Sequence, residues 1–326
     1  MVKYWKNRSV LITGCTGLIG SWLAKRLVSE GAKVVGLIRD SVPQSELILS
    51  GTLDKISVVN GDVSDYATML RAINEYEVQT VFHLAAQTIV GTASRSPIST
   101  FETNIKGTWT VLEAARNSGL NIDVIVASSD KAYGDQTKLP YTEEMPLIGG
   151  FPYDVSKSCA DIITRSYFKS YGMNVAVTRC ANLFGGGDLN FSRLIPGTML
   201  WCLKNEQIII RSDGKFKRDY LYVEDAADSY LMLAENVGRK DVKGEAFNFG
   251  NSQPISVIDL ANKILKITKS DVSLKIENSA KNEIRDQFLS TEKAKRVLGW
   301  KPGHSLDEGL LKTFKWYEKQ HKAGLF

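Results

Sequence analysis

The sequence predicts an α/β fold in which a doubly wound parallel sheet is joined to a smaller α+β lobe. Three observations carry this. An apolar run, Ser9-Val10-Leu11-Ile12, leads straight into a glycine-rich turn, Thr13 to Gly20, and then into the helical pattern SWLAKRLVSEG. Up to about residue 180, short runs rich in Val, Ile or Phe alternate with helical segments, as parallel strands with right-handed helical crossovers require. After Asn182 the alternation breaks, and short strands, helices and polar loops mix.

In chain order, strands are expected at 9–13, 33–38, 56–60, 80–84, 123–128 and 175–179. Each is a brief apolar run, the mark of a strand buried on both faces. Beyond Asn182, strands are expected at 208–211 and 247–249, and helices at 223–236 and 257–268. The expected division is a dinucleotide-binding domain over residues 1–180 and a substrate-binding lobe over most of 181–326, with some exchange of chain between them. Helices at 97–118 and 153–171 carry enough apolar and aromatic side chains to face a second copy as well as their own sheet. Packing on the sheet alone accounts for them nearly as well.

At 326 residues, 43% hydrophobic and 24% charged, the chain has the composition of a globular protein rather than a disordered one. No apolar run is long enough to span a bilayer, and the N-terminal MVKYWKNRSV lacks the apolar stretch of a secretion signal, so a cytoplasmic protein is expected. Cys15, Cys159, Cys180 and Cys202 are scattered, which suits reduced thiols better than disulfides or zinc. Three histidines, none near another, argue against a metal site. The net charge of +5 is spread without a basic block, against nucleic-acid binding, and suits a small anionic ligand.

The turn after the first strand, with Gly14, Gly17 and Gly20, has the spacing of a Rossmann-type dinucleotide site. Glycines let the backbone approach a pyrophosphate, whose charge rests on the unpaired amides of the helix N-terminus. At the end of the second strand stand Arg39 and Asp40. An acid there suits the ribose of NAD and an arginine suits the extra phosphate of NADP, so NAD is preferred and NADP stays open.

Tyr153 and Lys157, in FPYDVSKSCAD, lie four apart and share one helix face. An ammonium beside a phenol favours the phenolate, so the pair is expected to make a proton acceptor usable at neutral pH. Upstream, the fifth strand ends in Ala127-Ser128-Ser129-Asp130-Lys131. A serine at the carboxyl end of a parallel strand faces the ligand crevice and can hold a substrate hydroxyl while the tyrosine takes its proton. Each motif alone is weak evidence; together they point to alcohol oxidation by hydride transfer to a nicotinamide.

These residues resemble an extended short-chain dehydrogenase/reductase of the nucleotide-sugar epimerase and dehydratase class, over nearly the whole chain. The resemblance implies cofactor contacts at Gly14, Thr16, Gly17, Leu18, Ile19, Arg39, Asp62 and Val63. It adds Leu84, Ala85, Ala86 and Gln87 of HLAAQ, together with Tyr153 and Lys157. It implies Ser129, Tyr153 and Lys157 as the catalytic trio and a structural role for Asn104. Asn182, Arg193, Arg218 and Arg285, with Ser129, are implied to hold a nucleotide-diphosphate sugar, the base lying near Pro196 and 207–211. A tightly bound, recycled NAD and a homodimer belong to the same expectation.

Which reaction follows depends on two residues. An epimerase needs little beyond Ser, Tyr and Lys, whereas a 4,6-dehydratase needs a further acid and base beside the serine. Asp130 and Lys131 stand there. The Ser-Asp-Lys order is similar to CDP-glucose 4,6-dehydratases, while dTDP-glucose enzymes carry Asp-Glu. A neutral Lys131 would take the C5 proton and a protonated Asp130 would serve O6. Tyr133-Gly134-Asp135 reads more like the epimerases, so NDP-sugar 4-epimerase is the alternative.

Overall fold

The computed structural model describes residues 4–279 and 284–326. Six strands form in order along the first part: β1 Ser9–Thr13, β2 Lys33–Ile38, β3 Ser57–Asn60, β4 Thr80–His83, β5 Asp123–Ala127 and β6 Val175–Cys180. A seventh, Ala246–Phe249, comes from far down the chain and pairs in parallel with β6. Together they make one parallel sheet in the order Ala246–Phe249, β6, β5, β4, β1, β2, β3.

The side chains of β1 show why helices cover both faces. Val10 and Ile12 enter one apolar core with Leu23 and Phe247, while Leu11 enters another with Val81 and Val111. Apolar side chains on both faces of a strand require cover on both, and its terminal Ser9 and Thr13 are buried with them. Strand order reverses between β1 and β4, which opens a crevice at their carboxyl ends, the usual ligand position in such sheets.

Past β6 the pairings are short. The strand Asn182–Phe184 pairs with Tyr220–Tyr222, and Ile208–Ile210 with Leu274–Ile276. Lys217–Arg218 lies between Ile255–Ser256 and Asp286–Gln287. Aromatic side chains, among them Phe184, Tyr220 and Tyr317, fill a separate core here. The helix Val223–Asn236 instead returns to the central sheet, burying Tyr230 and Leu233 in the core under β1.

The stretch expected as one helix over 97–118 is interrupted. Pro97–Phe101 and Gly107–Asn117 are α-helical, but Glu102–Lys106 between them winds as a π-helix. Sequence periodicity cannot register this one-residue widening, which is typical of functional regions. Among the described residues no helix is long and apolar enough to cross a membrane.

One buried ion pair joins the pieces. Arg179 of β6 and Asp161 of the helix Pro152–Tyr171 meet through two hydrogen bonds, of 2.7 and 3.0 Å, and both side chains are shielded from solvent. The guanidinium also donates to the Tyr133 hydroxyl at 2.8 Å, which in turn donates to Asn248 Oδ1 at 2.8 Å. Removing one partner strands the other charge, and that outweighs any desolvation saved. Arg179→Met is therefore expected to cost about 3–5 kcal/mol of stability, read as a lowered urea midpoint; an unchanged midpoint would contradict this account.

Candidate active site

The crevice begins at the glycine turn. Gly14 has a φ of +73°, and a Cβ there would sit 2.8 Å from the Ala85 amide nitrogen. A Cβ on Gly20 would lie 2.2 Å from the Gly14 carbonyl oxygen. The turn, β4 and the helix Leu18–Ser29 are thus in backbone contact. That helix starts at Gly17 with no side-chain cap and no acid in its first turn, leaving its amides and dipole to an anion. A dinucleotide pyrophosphate fits this cradle.

A chain of directed hydrogen bonds fixes the neighbouring loop. Thr13 Oγ1 accepts from the amides of Leu84 at 3.1 Å and Ala85 at 3.2 Å, so its own hydrogen goes to His83 Nδ1 at 2.9 Å. The Thr108 hydroxyl donates to the Asn104 carbonyl at 2.6 Å and so accepts from His83 Nε2 at 3.1 Å. This pattern requires a neutral imidazole, and burial, with the Lys157 charge, holds His83 down to about 3. Asn104, on the π-helical turn, accepts from the Gln87 amide at 2.7 Å and donates to Ser156 Oγ at 2.8 Å. The segment HLAAQ is thereby clamped to the helix that carries Tyr153.

At the end of β2, Arg39 Nε donates to Asp40 at 2.7 Å, and Nη1 lies 3.6 Å from Asp62. Burial works against the Asp62 carboxylate, but hydrogen bonds from Ser64 and the Arg39 charge outweigh it and bring the group below the usual carboxylate range. Both acids face the one guanidinium.

At the end of β5, Ser128 Oγ donates to the Lys157 carbonyl at 3.0 Å, which ties strand to helix. Ser129 caps the short turn Asp130–Tyr133, accepting from the Lys131 amide at 3.2 Å and donating to Asp130 Oδ1 at 3.1 Å. Asp130 is 1% exposed, and its Oδ2 has no hydrogen-bond partner among the described residues. Lys131 Nζ lies 3.8 Å from Asp130 Oδ1 and 3.5 Å from Asn182 Oδ1. Two ionisable side chains beside the serine, one with an unused buried oxygen, can move protons at adjacent substrate atoms.

The tyrosine departs from expectation. Burial pushes Tyr153 up to about 12, with the Arg193 guanidinium and a hydrogen bond with Ser129 opposing, and the Asp130 and Asp154 charges adding to the rise. Lys157 does not offset this. Burial holds its ammonium down to about 8, and its Nζ donates to the Ala127 carbonyl at 2.7 Å. The sequence shows the i, i+4 spacing but not that both partners are desolvated together.

Every residue expected to be catalytic and every one expected to hold the diphosphate sugar except Arg285 lines one cleft of about 1160 Å³, larger than the few hundred to ~1,000 Å³ common for a single small ligand. Arg285 is exposed outside it; its carbonyl accepts from Arg218 Nη1 at 2.7 Å, while Ile284 and Gln287 of the same segment reach the cleft. Arg218 is held further by the carbonyls of Ile284 and Lys217. Arg193 starts the helix Leu194–Lys204 and binds Asp188 at 3.1 Å. Pro196 and Arg211 line the cleft as expected, and Gln207 does not. Sequence reasoning missed Asp154, a buried carboxyl in the same wall that burial pushes up to about 6. Its signal was an acid inside the Tyr-x-x-x-Lys motif.

His83 gives a pH test. Its folded pKa lies below the free value of 6.5, so the unfolded chain binds more protons between those values. Its contribution is complete above pH 6.5 and is lost as pH falls toward about 3. The gap in urea midpoint between wild type and His83→Gln should therefore narrow from pH 7.5 to pH 5; a constant gap would refute the neutral assignment.

Comparison with known proteins agrees with this geometry. The family model described as GDP-mannose 4,6 dehydratase matches residues 11–313. The chain is 30% identical to a CDP-glucose 4,6-dehydratase of Salmonella typhimurium, over 97% of this chain and 92% of that one. Its fold superimposes on a UDP-glucose 4-epimerase of Thermotoga maritima solved with UDP-glucose, with a TM-score of 0.88, 28% identity, and coverage of 96% and 99% of the two chains. A dTDP-glucose 4,6-dehydratase of Streptomyces venezuelae, solved with NAD and TYD bound, gives a TM-score of 0.87 at 26% identity, covering 97% and 98%. The chain belongs to the GDP-mannose 4,6 dehydratase family, enzymes of the extended short-chain dehydrogenase/reductase type.

Proposed function

We propose that this enzyme is a nucleotide-sugar 4,6-dehydratase acting on an NDP-hexose of the CDP-glucose kind through a 4-keto intermediate. The observation that carries the reading is the Asp130–Lys131 pair beside Ser129, with Asp130 Oδ2 buried in the cleft wall and without a partner among the described residues. An epimerase has no use for a second acid and base there.

In this reading the glycine cradle and the Leu84–Gln87 segment would hold NAD, which would supply the hydride acceptor and donor. NAD is preferred to NADP because Asp40 and Asp62 both face Arg39 and would repel a 2′-phosphate. Structural relatives solved with NAD support that choice. The cofactor stays bound and is regenerated each turn. Ser129 and Tyr153 hold the C4 hydroxyl and Tyr153 accepts its proton, favoured by the Arg193 charge and the Ser129 hydrogen bond, with Lys157 one turn along the same helix. Lys131 takes the C5 proton made acidic by the ketone, and Asp130 protonates the departing O6. Asn182, Arg193 and Arg218 hold the nucleotide diphosphate, with Arg285 positioning Arg218 through its carbonyl.

Residues 1–180 would supply most of the cofactor half and 181–326 most of the substrate half. Ile98, Trp109 and Ile162, exposed on the helices Pro97–Phe101, Gly107–Asn117 and Pro152–Tyr171, suit a homodimer. Four free cysteines suit the reducing cytoplasm.

Proton NMR of the protein with NAD in heavy water, against CDP-glucose, dTDP-glucose, UDP-glucose and GDP-mannose, tests the reading. A new C6 methyl signal with deuterium at C5 is expected for one nucleotide. Changed ring couplings with the hydroxymethyl intact would establish the epimerase instead, the reading favoured by the Thermotoga maritima likeness. Tyr153→Phe should lower turnover by roughly 100-fold or more; Lys131→Ala should allow C4 oxidation yet block methyl formation.

A further inference from the structure

Asp154 has no part in the scheme above, yet it sits in the same wall. It is 5% exposed and lines the cleft next to Tyr153. Two close approaches seal it there. A Cβ on Gly149 would lie 2.9 Å from Asp154 Cβ, so the segment before the helix lies directly against it. On the other side, Ser158 Oγ bridges the Asp154 carbonyl at 3.0 Å and the Ala132 carbonyl at 2.9 Å, which fixes this helical turn against the Asp130–Tyr133 turn. The charges acting on its carboxyl come from that turn: Lys131 attracts it and Asp130 repels it.

We propose that Asp154 is a positioning residue that acts through Lys131, aiming the lysine at C5 and stabilising the ammonium formed when it accepts the C5 proton. This rests on the dehydratase reading and assigns a further group to it. The step balances as follows. The C5–H bond breaks and its proton goes to the Lys131 amine, while its electron pair becomes the C5–C6 double bond. The C6–O bond breaks, and that oxygen leaves as water with the proton of Asp130. Lys131 gains positive charge as Asp130 turns negative, and the new ammonium is steadied further by any carboxylate that is already ionised nearby. Asp154 supplies such a charge from the same cleft wall. Burial and the Asp130 charge hold its carboxyl up to about 6 against the pull of Lys131, so it is ionised at neutral pH. A simpler role also exists, since the carboxyl accepts a hydrogen bond from the Phe151 backbone at the helix start.

Asp154→Asn separates the two, because asparagine keeps an oxygen for that backbone group but loses the charge. The NAD-loaded enzyme would be mixed with the nucleotide sugar that wild type converts, bearing hydrogen or deuterium at C5. Absorbance at 340 nm reports C4 oxidation, and NMR reports the C6 methyl. In Asp154→Asn, oxidation should stay within about threefold, methyl formation should fall at least roughly 30-fold, and the C5 isotope effect should rise. Asp154→Glu should recover part of the loss. Normal methyl formation in Asp154→Asn, or equal loss of both phases, would overturn the proposal and leave the dehydratase reading intact. A wild-type enzyme that yields only epimer would overturn that reading and this role with it.

Discussion

The Arg179–Asp161 pair is the interaction on which the rest of the site depends. It is buried in the layer between β6 and the helix Pro152–Tyr171, where an unpaired charge would be untenable. Its geometry therefore dictates how helix and strand align. Tyr153 and Lys157 ride on that helix, about two turns and one turn from Asp161. Through Tyr133, the same guanidinium also fixes the turn that presents Asp130 and Lys131. Three segments distant in sequence are thus brought to one register by a single planar cation with five donors.

A second layer of constraint is uncharged. The relay from the Leu84 and Ala85 amides through Thr13, His83 and Thr108 to Asn104 runs with every donor and acceptor used. Such a relay has one direction, so protonating the imidazole would leave two hydrogens contending for Thr13. It holds the loop at the crevice floor without placing a charge beneath it. Asn104, on the π-helical turn, then joins this floor to the catalytic helix.

Much of this was legible in the sequence. β1, β2 and the helices Val223–Asn236 and Val257–Thr268 fall where apolar patterning places them, because buried parallel strands and amphipathic helices write their period into composition. The glycine turn and the Tyr153/Lys157 spacing located the crevice. Other features were invisible for physical reasons. The π-turn at Asn104 depends on a tertiary hydrogen bond. The direction of the Tyr153 shift depends on the desolvation of both partners. Arg285 sits beside cleft-lining residues in sequence, yet it lies exposed outside the cleft, just ahead of the short strand Asp286–Gln287, and sequence spacing does not show which way it faces. Asp154 could be seen as a residue but not as a member of a charge cluster, since its neighbours come from a different segment.

The strand Ala246–Phe249 has a consequence for how the protein is made. β6 finds its second neighbour only in residues that leave the ribosome some seventy positions later. Until then β6 is a sheet edge with unpaired amides, and Phe247 and Phe249 are missing from the core that they share with Ile12. A nascent chain ending near residue 180 thus holds every glycine of the cradle, the Tyr153 helix and six of the seven strands, yet lacks the one that covers β6. Assembly waits for a long-range parallel pairing, the slowest kind of contact to close. The interval before it closes is when this chain is most exposed to mispairing with its own copies.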